Sequence, residues 1–224
     1  MDIEWFNRLV LEGLYLEDQD GKVMFEANHV AAGFEIMPLL EGKFVFTTVR
    51  LFGFSFNLRK HTPESPLNLQ FVIDAFASKD SIKKEKNIDL RFNSIMIRRG
   101  NFSYNVDSEK ETPGKFNAKH IDIKNLSAKI SLKAFNKDSV NAHIKKMSFD
   151  EASGFSLNKL SLNVVGNRDS AFVQDFEVRL PQTDLKIGRA RIDLSEIDSL
   201  PALLNNAPID LNITPSQICL KDLS

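Results

Sequence analysis

The apolar and polar residues of this chain follow one spacing that recurs along most of its length. Two apolar residues separated by one residue are followed, after two intervening residues, by a second pair with the same separation. Alternation of apolar and polar residues is typical of a β-strand with one buried face. The pattern occurs at Leu9, Leu11, Leu14, Leu16; Phe25, Ala27, Val30, Ala32; Phe44, Phe46, Val49, Leu51; Leu90, Phe92, Ile95, Ile97; Ile121, Ile123, Leu126, Ala128; Ala142, Ile144, Met147, Phe149; Phe155, Leu157, Leu160, Leu162; Ala171, Val173, Phe176, Val178; and Leu185, Ile187, Ala190, Ile192.

In the middle of each occurrence, the step from one apolar residue to the next is three residues instead of two, which interrupts the alternation. In a regular strand this slip would turn the second apolar pair to the opposite face. A β-bulge absorbs the additional residue, keeps the apolar residues on one side and bends the strand. Gly and Asn tolerate the backbone angles of a bulge, and several slipped positions contain them. The slipped positions are Glu12–Gly13, Asn28–His29, Thr47–Thr48, Asn93–Ser94, Lys124–Asn125, Asn158–Lys159 and Gly188–Arg189.

The predicted fold class is therefore all-β with a few short helices. Strands that bend at mid-length, with their bends aligned, form an elongated, bent antiparallel sheet that is an open apolar trough (a β-taco or repeating β-groove). An amphipathic helix also contains three-residue steps, but the flanking steps of two and the many Ile, Val, Phe and Thr residues favour strands. A closed barrel or a sandwich with bulged corners stays open as an alternative.

Turns and helices separate the strands. Turn sequences occur at residues 19–22, 112–114, 136–138, 151–154 and 166–169, and short connections favour antiparallel neighbours. Short helices are predicted at residues 36–41, 66–77 and 200–206; Ser65 is the expected N-cap of the second. The chain is expected to be one segment, residues 1–224, with residues 1–80 and 81–224 as a further subdivision. Both ends read as cuts in a longer polypeptide.

The predicted lining of the trough is a set of apolar residues taken from these patterns. It comprises Leu9, Leu11, Phe25, Phe44, Phe46, Val49, Leu51, Leu90, Phe92, Ile95, Ile121, Ile123, Leu126, Ile144, Phe155, Leu157, Leu160, Leu162, Val173, Phe176, Leu185, Ile187 and Ile192. The chain has 18 Phe but only 2 Tyr and 1 Trp, which suits dry apolar contact. These Phe residues are expected either in an ordinary core or against a ligand.

Composition and candidate chemistry both argue for binding over catalysis. The net charge of −1 gives no broad attraction to nucleic acid, and none is expected as a partner. The single Cys219 excludes an internal disulfide and a Cys-based metal site. The histidines are scattered, no phosphate loop or nucleophile elbow is present, and no catalytic residue, cofactor or metal ligand is predicted. No stretch is long and apolar enough to span a membrane, and the acidic N-terminus lacks a signal-peptide pattern.

Several segments resemble AsmA-like proteins. Residues 31–44, AAGFEIMPLLEGKF, resemble a strand that enters a short Leu-Leu helix, a Gly-Lys turn and a new strand; residues 48–58 and 66–70 fit its continuation. From Ile88 onwards the chain resembles the repeated strands of the TamB branch, closest to the TamB-like translocation and assembly proteins of Bacteroidetes, near their N-terminal part. The resemblance implies a β-groove in the periplasm of a Gram-negative bacterium, anchored in the inner membrane by a helix outside this chain.

Two functions follow from the resemblance and the apolar trough. The first is a segment of a lipid-transfer protein that shields phospholipid acyl chains between the inner and outer membranes. The alternative is a periplasmic scaffold or chaperone in outer-membrane protein translocation and assembly. The expected partners are acyl chains, neighbouring segments of the same chain, and a BamA-like outer-membrane protein that binds regions outside this chain. An enzyme whose site assembles from distant residues is the least favoured hypothesis.

Overall fold

The structure, a computed structural model, describes residues 8–37, 45–77, 91–135, 139–193 and 209–223. These residues form ten strands, one α-helix and a 3-10 helix at Leu220–Leu223. The elements are β1 Arg8–Glu17, β2 Val23–Phe34, β3 Val45–Lys60, α1 Gln70–Ala77, β4 Arg91–Val106, β5 His120–Phe135, β6 Ser139–Glu151, β7 Ser156–Asn167, β8 Ser170–Arg179, β9 Asp184–Asp193 and β10 Ile209–Ile213.

The ten strands belong to one open sheet, in which each strand lies beside its neighbours in sequence. β1 pairs antiparallel with β2 and β2 with β3. The pairs β7–β8, β8–β9 and β9–β10 are also antiparallel. The predicted all-β fold class, with one open and mainly antiparallel sheet, is confirmed.

Contacts between β3 and β4 advance in the same direction along both strands, which shows that this pair runs parallel. Gly100 lies against Phe54, Ser103 bonds to Asn57, and further along the backbone NH of Asp107 bonds to the carbonyl of Lys60. A parallel pair needs a long crossover connection, often helical. The chain between β3 and β4 contains α1, so the helix is part of the crossover that the parallel pairing requires.

The chain forms two compact units. Unit 1 consists of Met1–Arg91, Met96–Ser127 and Phe149–Phe155; unit 2 consists of Phe92–Ile95, Ala128–Ser148 and Ser156–Ser224. The expected subdivision at residue 80 falls within residues 78–90, outside the described part, and stays a prediction.

The predicted turns are found wherever they are described. Gly21 and Gly154 adopt positive φ angles of 72° and 102° in the turns after β1 and β6, and the NH of Lys115 bonds to the carbonyl of Thr112 in the connection before β5. Asn167 holds the turn before β8, because its side chain accepts hydrogen bonds from the backbone NH groups of Asp169 and Ser170. The turn at residues 136–138 lies outside the described residues.

The predicted helices are only partly described. Residues 36 and 37 are helical, but the remainder of 36–41 and the whole of 200–206 lie outside the described residues. The middle helix begins at Gln70 rather than at Pro66, so the predicted N-cap at Ser65 is wrong. The reason is Asn68, whose backbone NH bonds to the carbonyl of Arg59 and whose side chain bonds to the backbone of β3. Asn68 is thereby tied to the sheet, and the helix starts only after it.

A buried carboxylate ties the β1–β2 turn to β3 and to the segment before α1. Asp18, whose side chain is 2% exposed, accepts hydrogen bonds from the backbone NH groups of Asp20 and Lys22. Its other oxygen accepts from Arg59 at 3.0 Å and from Asn68 at 3.1 Å. We call these residues the Asp18 clasp. Burial alone would raise the pKa of Asp18, but these four donors outweigh it and lower the pKa to about 2.

Replacing Asp18 by Asn should destabilise unit 1 by about 2 kcal/mol, because the amide sets an NH₂ group against buried hydrogen-bond donors, although Arg59 keeps its ion pairs with Asp20 and Asp107. Asp169→Asn, at an exposed position in the turn before β8, is the control and should change little. Urea unfolding followed by circular dichroism measures both.

The pH dependence of the same unfolding free energy tests the charge on Asp18. Its folded pKa lies below the ordinary value of 3.8, so its contribution is complete above about pH 4 and is lost as pH falls towards 2. The wild-type chain should lose roughly 2 kcal/mol more than Asp18→Asn over that interval. Parallel pH profiles for the two proteins would contradict a charged clasp.

Candidate apolar binding face

Left-handed backbone conformations occur at the same level of neighbouring strands in unit 1. Gly13 in β1 has a φ of 62° and Gly53 in β3 a φ of 58°. Asn28 of β2 lies between them, and a Cβ on Gly53 would come within 2.5 Å of Nδ2 of Asn28. In β4 the left-handed residue is Arg99, with a φ of 53°, level with Gly53. We call Gly13, Asn28, Gly53 and Arg99 the kink line.

The kink line preserves the register of the strands that it crosses. Glu12 faces His29 on one side of it and Leu14 faces Ala27 on the other, with the same offset. The β2–β3 pair behaves in the same way. A β-bulge in one strand would have shifted the offset by one residue. The expected bulge is therefore replaced here by a break that adjacent strands share.

A left-handed residue within a strand reverses the alternation of side chains, as in a glycine-type bulge. Residues that are directly paired in an antiparallel ladder share a face. The apolar residues on the two sides of the kink line consequently belong to one face of unit 1, which we call the apolar face. Its paired rows are Leu16, Phe25 and Phe56; Leu14, Ala27 and Phe54; Leu11, Val30 and Leu51; and Leu9, Ala32 and Val49.

Aromatic rings form a continuous group on the apolar face. The ring centroid of Phe25 lies 6.1 Å from that of Phe54 and 5.8 Å from that of Phe56, and Phe56 lies 6.1 Å from Phe102. Gly100 of β4 leaves the space that the Phe54 ring occupies, because a Cβ at this position would overlap the ring. Phe54 is consequently only 6% exposed.

Most of the apolar face is only half-buried. Leu9, Leu11 and Leu16 on β1 are 53%, 38% and 43% exposed, while Val49 and Leu51 on β3 are half-buried. Apolar surface that stays in contact with water commonly marks a binding site.

The structure places only some of the predicted lining residues together on one face. Leu9, Leu11, Phe25, Val49 and Leu51 lie together on the apolar face of unit 1. Phe44 and Leu90 lie outside the described residues, as does the side chain of Phe92. The others that are described are half-buried, except that Leu157 is buried; these are Phe46, Ile95, Ile121, Ile123, Leu126, Ile144, Phe155, Leu160, Leu162, Val173, Phe176, Leu185, Ile187 and Ile192.

The slipped positions were predicted correctly in several strands. Gly13, Asn28 and Gly188 lie at interruptions of the pairing, and Asn125 has a φ of 56°. Thr47 is the additional residue at a register shift, since Gly33 faces Thr48 and Phe34 faces Phe46.

One strand contains a break in addition to the predicted one, and two strands have their interruption later than the sequence pattern indicated. β3 contains a second break at Gly53, and the left-handed residue of β4 is Arg99, not Asn93 or Ser94. In β7 the register shift lies between Ser161 and Asn163 rather than at Asn158–Lys159. Leu162 lies at this shift.

Sequence reasoning therefore missed Phe54, Phe56 and Phe102 as members of the apolar face. A signal for the first two was present: Val49, Leu51, Phe54 and Phe56 repeat the same apolar spacing, with Gly53 at the slip. This occurrence shares Val49 and Leu51 with the one that begins at Phe44, and for this reason it was not recognised as a separate occurrence.

Unit 2 also has an apolar face, but only β8 and β9 share a break that keeps their register, whereas the register of β7 and β8 shifts by one residue. Leu160 faces Val178, which faces Leu185, and Val164 faces Val173, which faces Ala190. Between these rows, Asp175 has a φ of 52°, level with Gly188 of β9. The alternation thus reverses at the predicted slip of both strands.

The opposite side of the strands carries ions and polar groups. In unit 2, Glu177 contacts Lys159 at 2.5 Å and Arg179 at 2.6 Å; the Lys159 hydrogen bond is the main reason that the pKa of Glu177 is lowered. The guanidinium groups of Arg189 and Arg191 lie 4.9 and 5.8 Å from the ring centroid of Phe172. In unit 2, these strands therefore carry charged and polar groups on the side opposite the apolar face.

A polar cavity of about 550 Å³ in unit 1 brings His120, Asp122 and Glu151 together, which makes it the place to look for catalytic chemistry. The Glu151 carboxylate accepts from the backbone NH of Ser153 at 2.8 Å. Burial would raise the pKa of Glu151, but hydrogen bonds from Ser153 and neighbouring amides lower it overall. A general acid needs a raised carboxyl pKa. The lowered pKa of Glu151 and its hydrogen bonds to the turn indicate that this carboxylate stabilises the turn after β6.

His120 in the same cavity also has a structural role. Its Nδ1 lies 3.1 Å from the side-chain oxygen of Asn105, and its Nε2 lies 3.0 Å from the carbonyl of Glu109. The ring nitrogens thus contact the end of β4 and the β4–β5 connection. Among the described residues, no group of three or more His, Cys, Asp or Glu could hold a metal ion.

Comparison with known proteins adds no family. No protein-family model matches the chain, and no curated protein matches its sequence. No helix in the described ranges is long and apolar enough to cross a membrane.

Gly100→Ala should destabilise unit 1 by about 2 kcal/mol, because the new methyl group displaces the Phe54 ring from its site. Gly188→Ala is the matched control: it is also a strand glycine, but the nearest atom to its Cβ would be 3.6 Å away. Its unfolding free energy should change by no more than about 0.5 kcal/mol. Equal losses in the two variants, measured by urea unfolding, would contradict the packing of Phe54 over Gly100.

Proposed function

We propose that the chain is a section of a lipid-transfer protein of the bacterial envelope, in which the apolar faces shield phospholipid acyl chains between two membranes. The observation that carries this proposal is the apolar face of unit 1, whose Leu, Val and Phe rows stay half-exposed on both sides of the kink line. The sequence resemblance to AsmA-like proteins of the TamB branch supports the same function. We propose also that this chain is located in the periplasm.

The chemistry of the face suits a chain of methylene groups better than a polar ligand. In unit 1, the paired rows contain only Leu, Val, Ala and Phe, so they offer contact but no side-chain hydrogen bond. Each CH₂ group that moves from water onto such a surface gains roughly 0.8 kcal/mol. An acyl chain of about a dozen carbons would gain several kcal/mol after its ordering cost.

The two faces of β3 provide a test with an internal control. Leu51 belongs to the apolar face, and its neighbour Phe52 lies on the opposite face, 39% exposed and beside the guanidinium of Arg99. A photo-reactive amino acid at position 51 should cross-link to phospholipid after incubation with liposomes, and the same residue at position 52 should do so far less. The two positions are adjacent in sequence, so expression and reagent access are comparable.

Cross-linked products are identified by mass spectrometry. Phospholipid adducts of equal yield at positions 51 and 52 would indicate nonspecific contact and would contradict the proposal. Cross-links to polypeptide alone at position 51 would contradict it too, and would favour the scaffold of outer-membrane protein assembly.

A further inference from the structure

The edge strand β1 exposes large apolar side chains on both of its faces. Leu9, Leu11 and Leu16 on the apolar face are accompanied by Val10 and Tyr15 on the other face, at 43% and 52% exposure. Within the described residues, β1 pairs only with β2, so one row of its backbone NH and carbonyl groups has no strand partner. A ten-residue edge of this kind is a template for a further strand.

The sequence of β1 is complementary to itself in one antiparallel register. When residue 8 of one copy faces residue 17 of a second copy, all ten residues of the strand are paired. The pairs are Arg8 with Glu17, Leu9 with Leu16, Val10 with Tyr15, Leu11 with Leu14, and Glu12 with Gly13. Apolar residues then face apolar residues throughout, and a cation faces a carboxylate at each end.

The kink at Gly13 is what permits this register. In a straight strand, Leu9 and Leu16 would point to opposite faces and could not be paired across a two-fold axis. The left-handed Gly13 reverses the alternation, so that Leu9, Leu11, Leu14 and Leu16 share a face. The register also sets Glu12 against Gly13 in both directions.

Neighbouring registers lose this match. A shift of one residue in one direction pairs Leu9 with Glu17, and a shift in the other pairs Leu9 with Tyr15, which lies on the opposite face. Like charges or unmatched faces directly across an antiparallel pair are destabilising. The charges and the apolar residues therefore select the same alignment.

We infer that β1 is a self-association edge, through which two copies of this chain pair antiparallel about a two-fold axis and continue the sheet from one copy into the other. An isologous contact of this kind closes after two copies. The inference does not depend on lipid binding, because it concerns the edge of the sheet and not the ligand of its face.

A charge exchange within β1 tests the register directly. Glu17→Arg places two like charges opposite each other at both ends of the pairing, since position 17 faces Arg8 of the second copy, and should weaken the dimer about tenfold or more. The double variant Arg8→Glu with Glu17→Arg recreates an opposite-charge pair in the same register and should restore dimerisation. Both variants lose the hydrogen bond from Tyr15 to Glu17 equally, so that bond cannot explain a difference between them.

The molecular mass in solution is measured by sedimentation equilibrium over a range of concentrations. The wild-type chain should approach twice its mass of 25.4 kDa, and Glu64→Arg, at an exposed position away from the edge, should behave like the wild type. A chain that stays monomeric at all concentrations would overturn the inference. A dimer that Glu17→Arg does not weaken, or that the double variant does not restore, would overturn it as well.

Discussion

The reversal of side-chain alternation at the kink line is the constraint on which the rest of unit 1 depends. A strand with an uninterrupted pleat would place the two apolar pairs of each repeat on different faces. Left-handed residues at Gly13, Gly53 and Arg99 bring these pairs back to one face. Because neighbouring strands break at the same level, the ladder keeps its register, and no strand has to accommodate a bulge alone at that level.

Several properties follow from this one feature. The apolar residues on both sides of the break share one face, although the strand sequences do not alternate strictly. The apolar face remains half-exposed, and the Phe54 ring fills the space that Gly100 leaves. At the edge, the same reversal makes β1 complementary to a second copy of itself. The Asp18 clasp, by contrast, fixes the end of the sheet beside the β1–β2 turn and is independent of the apolar rows.

The strand class of this chain was predictable because its apolar spacing is short-range and repeated. Gly13 and Asn125 could be located, since Gly and Asn adopt left-handed angles with little strain. Asp175 lies at the slip between Val173 and Phe176, but Arg99 could not be located, because nothing in its local sequence distinguishes it from an ordinary polar strand residue. The parallel pairing of β3 with β4 had a signal in the helix between them, which sequence reasoning recognised but did not connect to strand direction.

Long-range polar contacts were beyond the reach of the sequence. Asp18 and Arg59 are 41 positions apart, and each looks like a solvated charge in its own segment. Asn68 shows the consequence: its bonds to β3 delay the start of α1, and a local rule for helix capping has no means of including them. The half-exposed state of the lining residues likewise depends on what packs over them, which spacing alone does not determine.

The residues on both sides of the kink line should act as one face that accepts acyl chains, and this is the property most worth measuring. The most direct test is methyl NMR of the labelled chain with a fatty acid that carries a nitroxide on its acyl chain. We expect strong paramagnetic broadening of the methyl groups of Leu11, Leu14, Val30 and Leu51, which lie on both sides of the kink line, and little broadening of Val10 on the opposite face. Equal broadening of Val10 and Leu11, or broadening confined to one side of the kink line, would contradict a single acyl-binding face.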